Sequence, residues 1–233
     1  MNKTKIEWCD FTWNPVVGCT HGCDYCYARR FAKRLKCPQC SAFVPHLHPE
    51  RLDQPATVKT PSIIFCGSMC DMFDRNLPAA AFGCVAAAMG AARHHSFIAL
   101  TKQPEYASYQ LRNVADLNNL WLGVSVTTGN DIWRFDALLS VWAGPTVISY
   151  EPCLAPIAFP TRGLNWLIIG AQTGPGAVVP EREWIADAVG AARDAHIPLF
   201  VKDNVVRYFP DFQGIREWPE GMMKALGRER TKR

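Results

Sequence analysis

Long apolar runs are missing from this 233-residue chain. None approaches the roughly 18 residues that cross a bilayer, so no membrane-spanning segment and no membrane partner are expected. The opening "MNKTKIEWCD" also lacks the apolar core of a secretory leader, and the expected setting is the cytoplasm, where thiols stay reduced. Charge of one sign is equally scarce, the net value being +4. That balance calls for no nucleic-acid partner and forbids no phosphorylated or polymeric substrate. No repeat at a solenoid period is evident. "QTGPGA" (172–177) contains glycines but lacks the spacing of a phosphate-binding fingerprint.

Hydrophobic residues, by contrast, make up 48% of the chain, enough to bury a sizeable core and to argue against disorder. The length allows one large domain or two small ones. Cysteine is abundant, with ten residues. In a reducing compartment these read as metal ligands, redox groups or small buried hydrophobes rather than a disulfide framework.

Short apolar runs recur at "SIIF" (62–65), "FIAL" (97–100), "LWLGVSV" (120–126), "TVISY" (146–150), "WLIIG" (166–170) and "PLFV" (198–201). Nearly continuous apolarity over four to seven residues is the pattern of strands buried on both faces. "IEW" (6–8) is a candidate seventh strand. Helical spacing lies between them: Phe82, Val85, Met89 and Ala92 share one face of 78–95, and Trp184, Ile185, Ala188, Val189 and Ala192 share one face of 180–196. Stretches 104–117 and 130–142 are further helix candidates. Alternating strands and helices predict a mostly parallel α/β sheet with right-handed crossovers. Six or seven strands in fewer residues than the roughly 250 of a full eightfold barrel suggest a partial (β/α) barrel. The whole chain, 1–233, reads as a single domain. The stretch 150–165 is too rich in proline for an ordinary crossover helix. Residues 37–61 read as an aperiodic insertion with five prolines, and "GRERTKR" (227–233) as a solvated basic tail.

Two groups of residues carry chemistry. "VVGCTHGCDYCYARR" (16–30) places Cys19, Cys23 and Cys26 within eight positions, too tight for disulfides and odd in number, so a shared ligand is expected. Structural zinc takes four ligands, usually as two pairs, and a ferredoxin-type cluster takes four cysteines. A four-iron cluster on three cysteines leaves one iron open. The second group, Cys37, Cys40, His46 and His48, offers the two thiolates and two imidazoles of tetrahedral zinc, although its histidines are closer together than in a zinc finger.

"CTHGCDYC" resembles the radical S-adenosylmethionine (SAM) signature, with three and then two residues between cysteines and an aromatic just before the third. It falls between a first strand and the helical "YARRFAKRL". The stretches "TKIEW…TWNPVVGC", "PHLHPERLDQP", "LTKQPE", "WLGVSV", "EPCLAPI" and "IGAQTGPGA" resemble a family of bacteriophage and bacterial proteins long left without an assigned function. The resemblance implies a partial barrel in which Cys19, Cys23 and Cys26 bind a 4Fe–4S cluster whose fourth iron holds SAM. It also implies reductive cleavage of SAM to a 5′-deoxyadenosyl radical, with a reductant such as a flavodoxin or ferredoxin as partner. Within that family the implied substrate is DNA or a modified nucleoside, with rearrangement of a hypermodified thymine side chain, an isomerase or mutase reaction, as the specific expectation. The cytoplasm would be that of a bacterial host if the chain is phage-encoded.

The resemblance puts Tyr25 against the adenine, a role favoured over simple packing under the loop, while Gly18 and Gly22 can supply unusual backbone angles. "FCGSMCDMF" (65–73) corresponds to the segment meeting the methionine end of SAM, but the usual glycine-glycine-glutamate reads Gly67-Ser68-Met69. Ser68 or Asp71 would have to replace the missing glutamate. Ser125 and Thr127 end a strand where hydroxyls could meet the ribose or carboxylate of SAM. Lys102, Glu151, Gln172 and Lys202 close other apolar strands at the same rim, where polar groups are candidates for catalysis. Two competing readings stay open. One is a zinc- or iron–sulfur-binding module that recognises nucleic acid or protein, and the other is an electron carrier completed by Cys9 or Cys37.

Overall fold

The computed structural model describes residues 1–111, 114 and 117–228. Among them ten strands form two sheets. The larger joins β1 (Asn2–Lys3), β2 (Phe11–Trp13), β5 (Ile63–Cys66), β6 (Ser96–Thr101), β7 (Leu120–Val126), β8 (Thr146–Tyr150), β9 (Trp166–Ile169) and β10 (Leu199–Val201), in that spatial order. All neighbours are parallel except β1 with β2. The smaller pairs β3 (Val16–Val17) with β4 (His46–Leu47). The α/β class and the parallel sheet therefore stand, with eight strands rather than six or seven. The sheet is open, β1 lying at one edge and β10 at the other.

Alternation along each strand explains the continuous apolar runs. Ile64, Phe97, Ala99, Leu122, Ile148, Leu167 and Leu199 pack into the main core beneath the helices, with Phe82, Phe135 and Ile185. Their chain neighbours Ile63, Ile98, Trp121, Val147, Trp166, Ile168 and Phe200 form a second cluster on the other face, covered by Trp8, Met222 and Leu226. Both faces are dry, so neither shows a polar alternate.

The helix expected within 78–95 runs Ala79–Ala91, with Phe82, Val85 and Met89 fully buried, and that within 180–196 runs Arg182–Asp194. Stretch 130–142 holds a 3-10 turn and the helix Trp133–Leu139. In 104–117 a 3-10 turn leads into a helix over Ala107–Leu111, and residues 112, 113, 115 and 116 lie outside the described residues. So does the basic tail from 229 onwards.

The extra strand next to β5 is Phe11–Trp13, not "IEW". Residues 7–8 form a turn closed by the Cys9 amide donating to the Ile6 carbonyl (3.3 Å), which frees Trp8 to cover the second cluster. Asp10 then aligns β2, its carboxylate accepting from the Ile63 amide at 2.8 Å. No helix joins β8 to β9. Pro152, Pro156 and Pro160 interrupt that connection, which instead folds over the strand ends, Cys153 and Leu154 donating to the Gly170 and Thr127 carbonyls. The stretch 37–61 is short helices, a 3-10 turn and β4, tied through β3 to the cysteine loop.

Candidate functional site

The loop after β3 is pinned by its backbone. Gly18 adopts φ +101°, and a Cβ there would stand 2.3 Å from the Val44 carbonyl carbon and oxygen, so only glycine fits. Gly18 donates to the Met69 carbonyl (3.0 Å) and Cys19 to the Phe43 carbonyl (3.2 Å). Thr20 donates to the buried Asp74 carboxylate from its amide (2.6 Å) and its hydroxyl. Burial opposes ionisation of Asp74, yet the hydrogen bonds from Thr20, Asn76 and Gln103 hold its carboxyl below the ordinary value. Gly22 turns the chain at φ +78°.

The thiols are left free of disulfides. The Cys19 sulfur accepts from the His21 amide (3.4 Å) and the Cys26 sulfur from the Arg29 amide (3.3 Å). Burial pushes the Cys19 thiol up to about 12, against the His21 hydrogen bond and with Asp71 and Asp74 adding negative charge nearby. A cationic centre is what would keep such a thiol ionised. The ligand atoms of Cys19, Cys23 and Cys26 are not drawn together as around a single ion, since among the described residues only the Cys37 group is that compact.

Behind the loop lies a cavity of about 490 Å³ at the carboxyl ends of the strands, lined by all three thiols and by Tyr25. Period-2 alternation carries the second cluster's face upward into it: Trp121 leads to Ser125, Val147 to Ser149 and Glu151, and Phe200 to Lys202. Lys202 and Glu151 form an ion pair. Gly170 makes room for it, because a Cβ there would stand 2.6 Å from the Glu151 carboxyl carbon. Lys102 places its ammonium 6.0 Å from the centre of the Tyr25 ring. Gln172 also lines the cavity while its side-chain oxygen accepts from the Val178 amide (3.0 Å), closing the glycine-containing loop.

Gly67 (φ +87°) and Ser68 line the cavity as well. The Ser68 hydroxyl is paired with Asn14 (3.1 Å), and its carbonyl accepts from the Tyr27 hydroxyl (2.6 Å). Asp71 reaches the cavity, but its oxygens accept from the Thr101 hydroxyl (2.6 Å) and the Lys102 and Phe73 amides (2.7 and 3.0 Å). Burial raises its pKa despite those bonds. Asp71 is thus engaged in tying its loop to the end of β6. Thr127 is not among the lining residues: its hydroxyl and amide donate to Asp131 (2.7 and 2.8 Å), the last residue of the next 3-10 turn, Gly129–Asp131.

The second constellation does assemble. The Nε2 atom of His46 lies 3.7 Å from the Cys37 sulfur and 3.5 Å from that of Cys40, and the Nε2 atom of His48 lies 3.2 Å from Cys40. All four ligand atoms fall within 4.8 Å of one another, so the group can hold a metal ion such as zinc. Hydrogen bonding from the Cys40 amide pulls the Cys37 thiol down to about 7, whereas burial raises Cys40 to about 11. Cys37 is thereby taken up in this group, and Cys9 packs against the second cluster, so neither joins the three-cysteine loop.

Sequence reasoning passed over Ser149, Asn14 and Asp74. Ser149 was signalled by a hydroxyl two residues after an inward Val147. Asn14 and Asp74 act across more than fifty residues of chain, Asn14 holding Ser68 and the Met69 amide (3.0 Å) and Asp74 holding Thr20, which no local pattern reveals.

Fold and site together define a mixed α/β protein whose parallel sheet presents free thiols and paired charges at one end. Residues 3–211 match the family described as a protein of unknown function (DUF5131), and the chain belongs to that family. No curated protein and no solved structure matches it.

Proposed function

We propose that this protein is a radical SAM enzyme, its sheet a partial barrel, with Cys19, Cys23 and Cys26 holding a 4Fe–4S cluster. The observation that carries the reading is the three thiols of one loop on the wall of a cavity at the strand ends, with Cys9 and Cys37 placed elsewhere and the wall's other thiol, Cys70, resting 3.4 Å from the Met72 sulfur. Strand order that follows chain order from β5 to β10 without reversal supports a barrel-like winding, in contrast to doubly wound sheets that reverse at a switch point. The donor set fits the group, because three thiolates leave one iron for an exogenous ligand.

When bound, the cluster and SAM supply one-electron cleavage of a carbon–sulfur bond and a 5′-deoxyadenosyl radical. The chain's own residues do the rest. Tyr25 presents a ring to the cavity for stacking of adenine. Ser125 and Ser149 offer hydroxyls from adjacent strands, at positions paired in the sheet. Lys102 is a cation for a carboxylate. The Glu151–Lys202 pair orients the substrate, and Lys202 is positioned to hold or give a proton there. The apolar floor of Trp8, Phe65 and Leu100 excludes water. The substrate we propose is a modified nucleobase, presented flipped or single-stranded, in a rearrangement of its side chain. Its support is the Tyr25 ring beside the Lys102 ammonium in the cavity.

Anaerobic reconstitution with iron and sulfide, followed by SAM and a reductant, is expected to release 5′-deoxyadenosine. Absence of a cluster in the wild type, or unchanged cleavage in Cys23→Ala, would overturn the reading. Nucleoside mass spectrometry after incubation with hypermodified DNA then addresses the substrate, and unaltered nucleosides would remove the nucleobase assignment.

A further inference from the structure

The Cys37 group has a second layer that the spacing alone could not show. His46 directs Nδ1 to the Val44 carbonyl at 2.7 Å, and His48 directs Nδ1 to the Glu50 carboxylate at 2.8 Å. Those partners fix both rings with Nε2 facing the thiols, as in histidines that bind a metal. A tetrahedral zinc ion, with bonds of about 2.0–2.3 Å, separates its sulfur and nitrogen ligands by about 3.5 Å. The observed spacings of 3.7, 3.5 and 3.2 Å lie along the edges of that tetrahedron.

We propose that Cys37, Cys40, His46 and His48 hold one structural zinc ion, and that this ion sets the position of the three-cysteine loop. Four protein ligands close the coordination sphere and leave no place for substrate, so the role is mechanical. The mechanical links run directly from the metal loop to the neighbouring one. His46 and Leu47 pair with Val17 and Val16. Phe43, between the second thiol and the first imidazole, accepts the Cys19 amide at 3.2 Å, and Val44 is the wall against which Gly18 packs. Cys40 and Phe43 share a buried cluster with Val17 and Ala28, and Cys19 and Cys26 pack on its edge. Residues 37–48 contain one four-residue helix and one two-residue strand, too little regular structure to hold those contacts in place alone. Zinc binding would contribute folding energy at that point. The proposal does not depend on what the three-cysteine loop binds.

The test uses full-length protein from zinc-supplemented cells, with metals counted per chain by mass spectrometry. The wild type and the triple variant Cys19→Ser/Cys23→Ser/Cys26→Ser should each carry about one zinc, and Cys37→Ser/Cys40→Ser should lose it. His46→Cys, which keeps a zinc-competent donor set, should retain it. Hydrogen exchange over residues 16–26 gives the mechanical readout. Stripping zinc from the wild type with a chelator should speed exchange at the Cys19 amide about tenfold or more, reversed when zinc is restored. Wild type without zinc, zinc persisting in the double serine variant, iron in its place in the triple variant, or Cys19 exchange indifferent to zinc would each overturn the proposal.

Discussion

Single residues decide whether the loop can present its thiols. Gly18 combines a left-handed backbone with contact against Val44, so Gly18→Ala is expected to destabilise the fold by about 2–3 kcal/mol, measured by urea denaturation. A midpoint unchanged from wild type would show that the loop is free to move away. Cys70 lines the same cavity and rests 3.4 Å from the Met72 sulfur. If three thiols suffice, Cys70→Ser keeps its full iron content after reconstitution and Cys26→Ser does not. Iron loss in both would make Cys70 a fourth ligand and favour an electron carrier. Gly170→Ala would press on Glu151, and separation of the Glu151–Lys202 pair is expected to lower substrate turnover more than SAM binding, a split that calorimetry with SAM and a turnover assay read together. The Cys37 group was legible because metal-ligand spacing is local in sequence, and its four ligand atoms do come together. Thr127 lies off the cavity wall because a hydroxyl at a strand end serves equally to anchor the next turn, which it does here through Asp131.

Among elements, the segment after β5 matters most. Asp74 lies in it and reaches back to Thr20 in the cysteine loop. Its depressed pKa sets the sign of a pH effect: the stabilisation is fully present above the ordinary carboxylate value of about 3.9 and is lost as pH falls through the lower folded value. Asp74→Asn should therefore cost about 2 kcal/mol near neutral pH and flatten the decline in stability below about pH 4. An equally steep acid decline in the variant would place the titration elsewhere. Asp71, raised by burial, acts in the opposite sense and partly offsets the loss. The strands were readable as apolar runs because both sheet faces are buried. The first strand was misplaced by a few residues, since Trp8 gains its burial from a turn rather than a ladder. The β8–β9 connection was recognisable only as irregular, because proline content says where a helix stops and not where the chain goes.

At the scale of the whole molecule, the sheet places at one end what the sequence scatters over nearly two hundred residues, from Cys19 to Lys202. No helix among the described residues is long and apolar enough to cross a membrane. Parallel strands wound in one direction point their carboxyl ends the same way, and that geometry brings the strand-end residues Lys102, Glu151, Gln172 and Lys202 to one cavity. What no pattern could supply was the depth of the cavity, the pairing of Glu151 with Lys202, or the bracing of one cysteine loop by another. The central claim is that three thiols leave one iron open to SAM. Electron paramagnetic resonance of the reduced, reconstituted protein tests it most directly: the account predicts a four-iron signal whose g values shift when SAM is added, and a cluster signal that SAM leaves unchanged would contradict it.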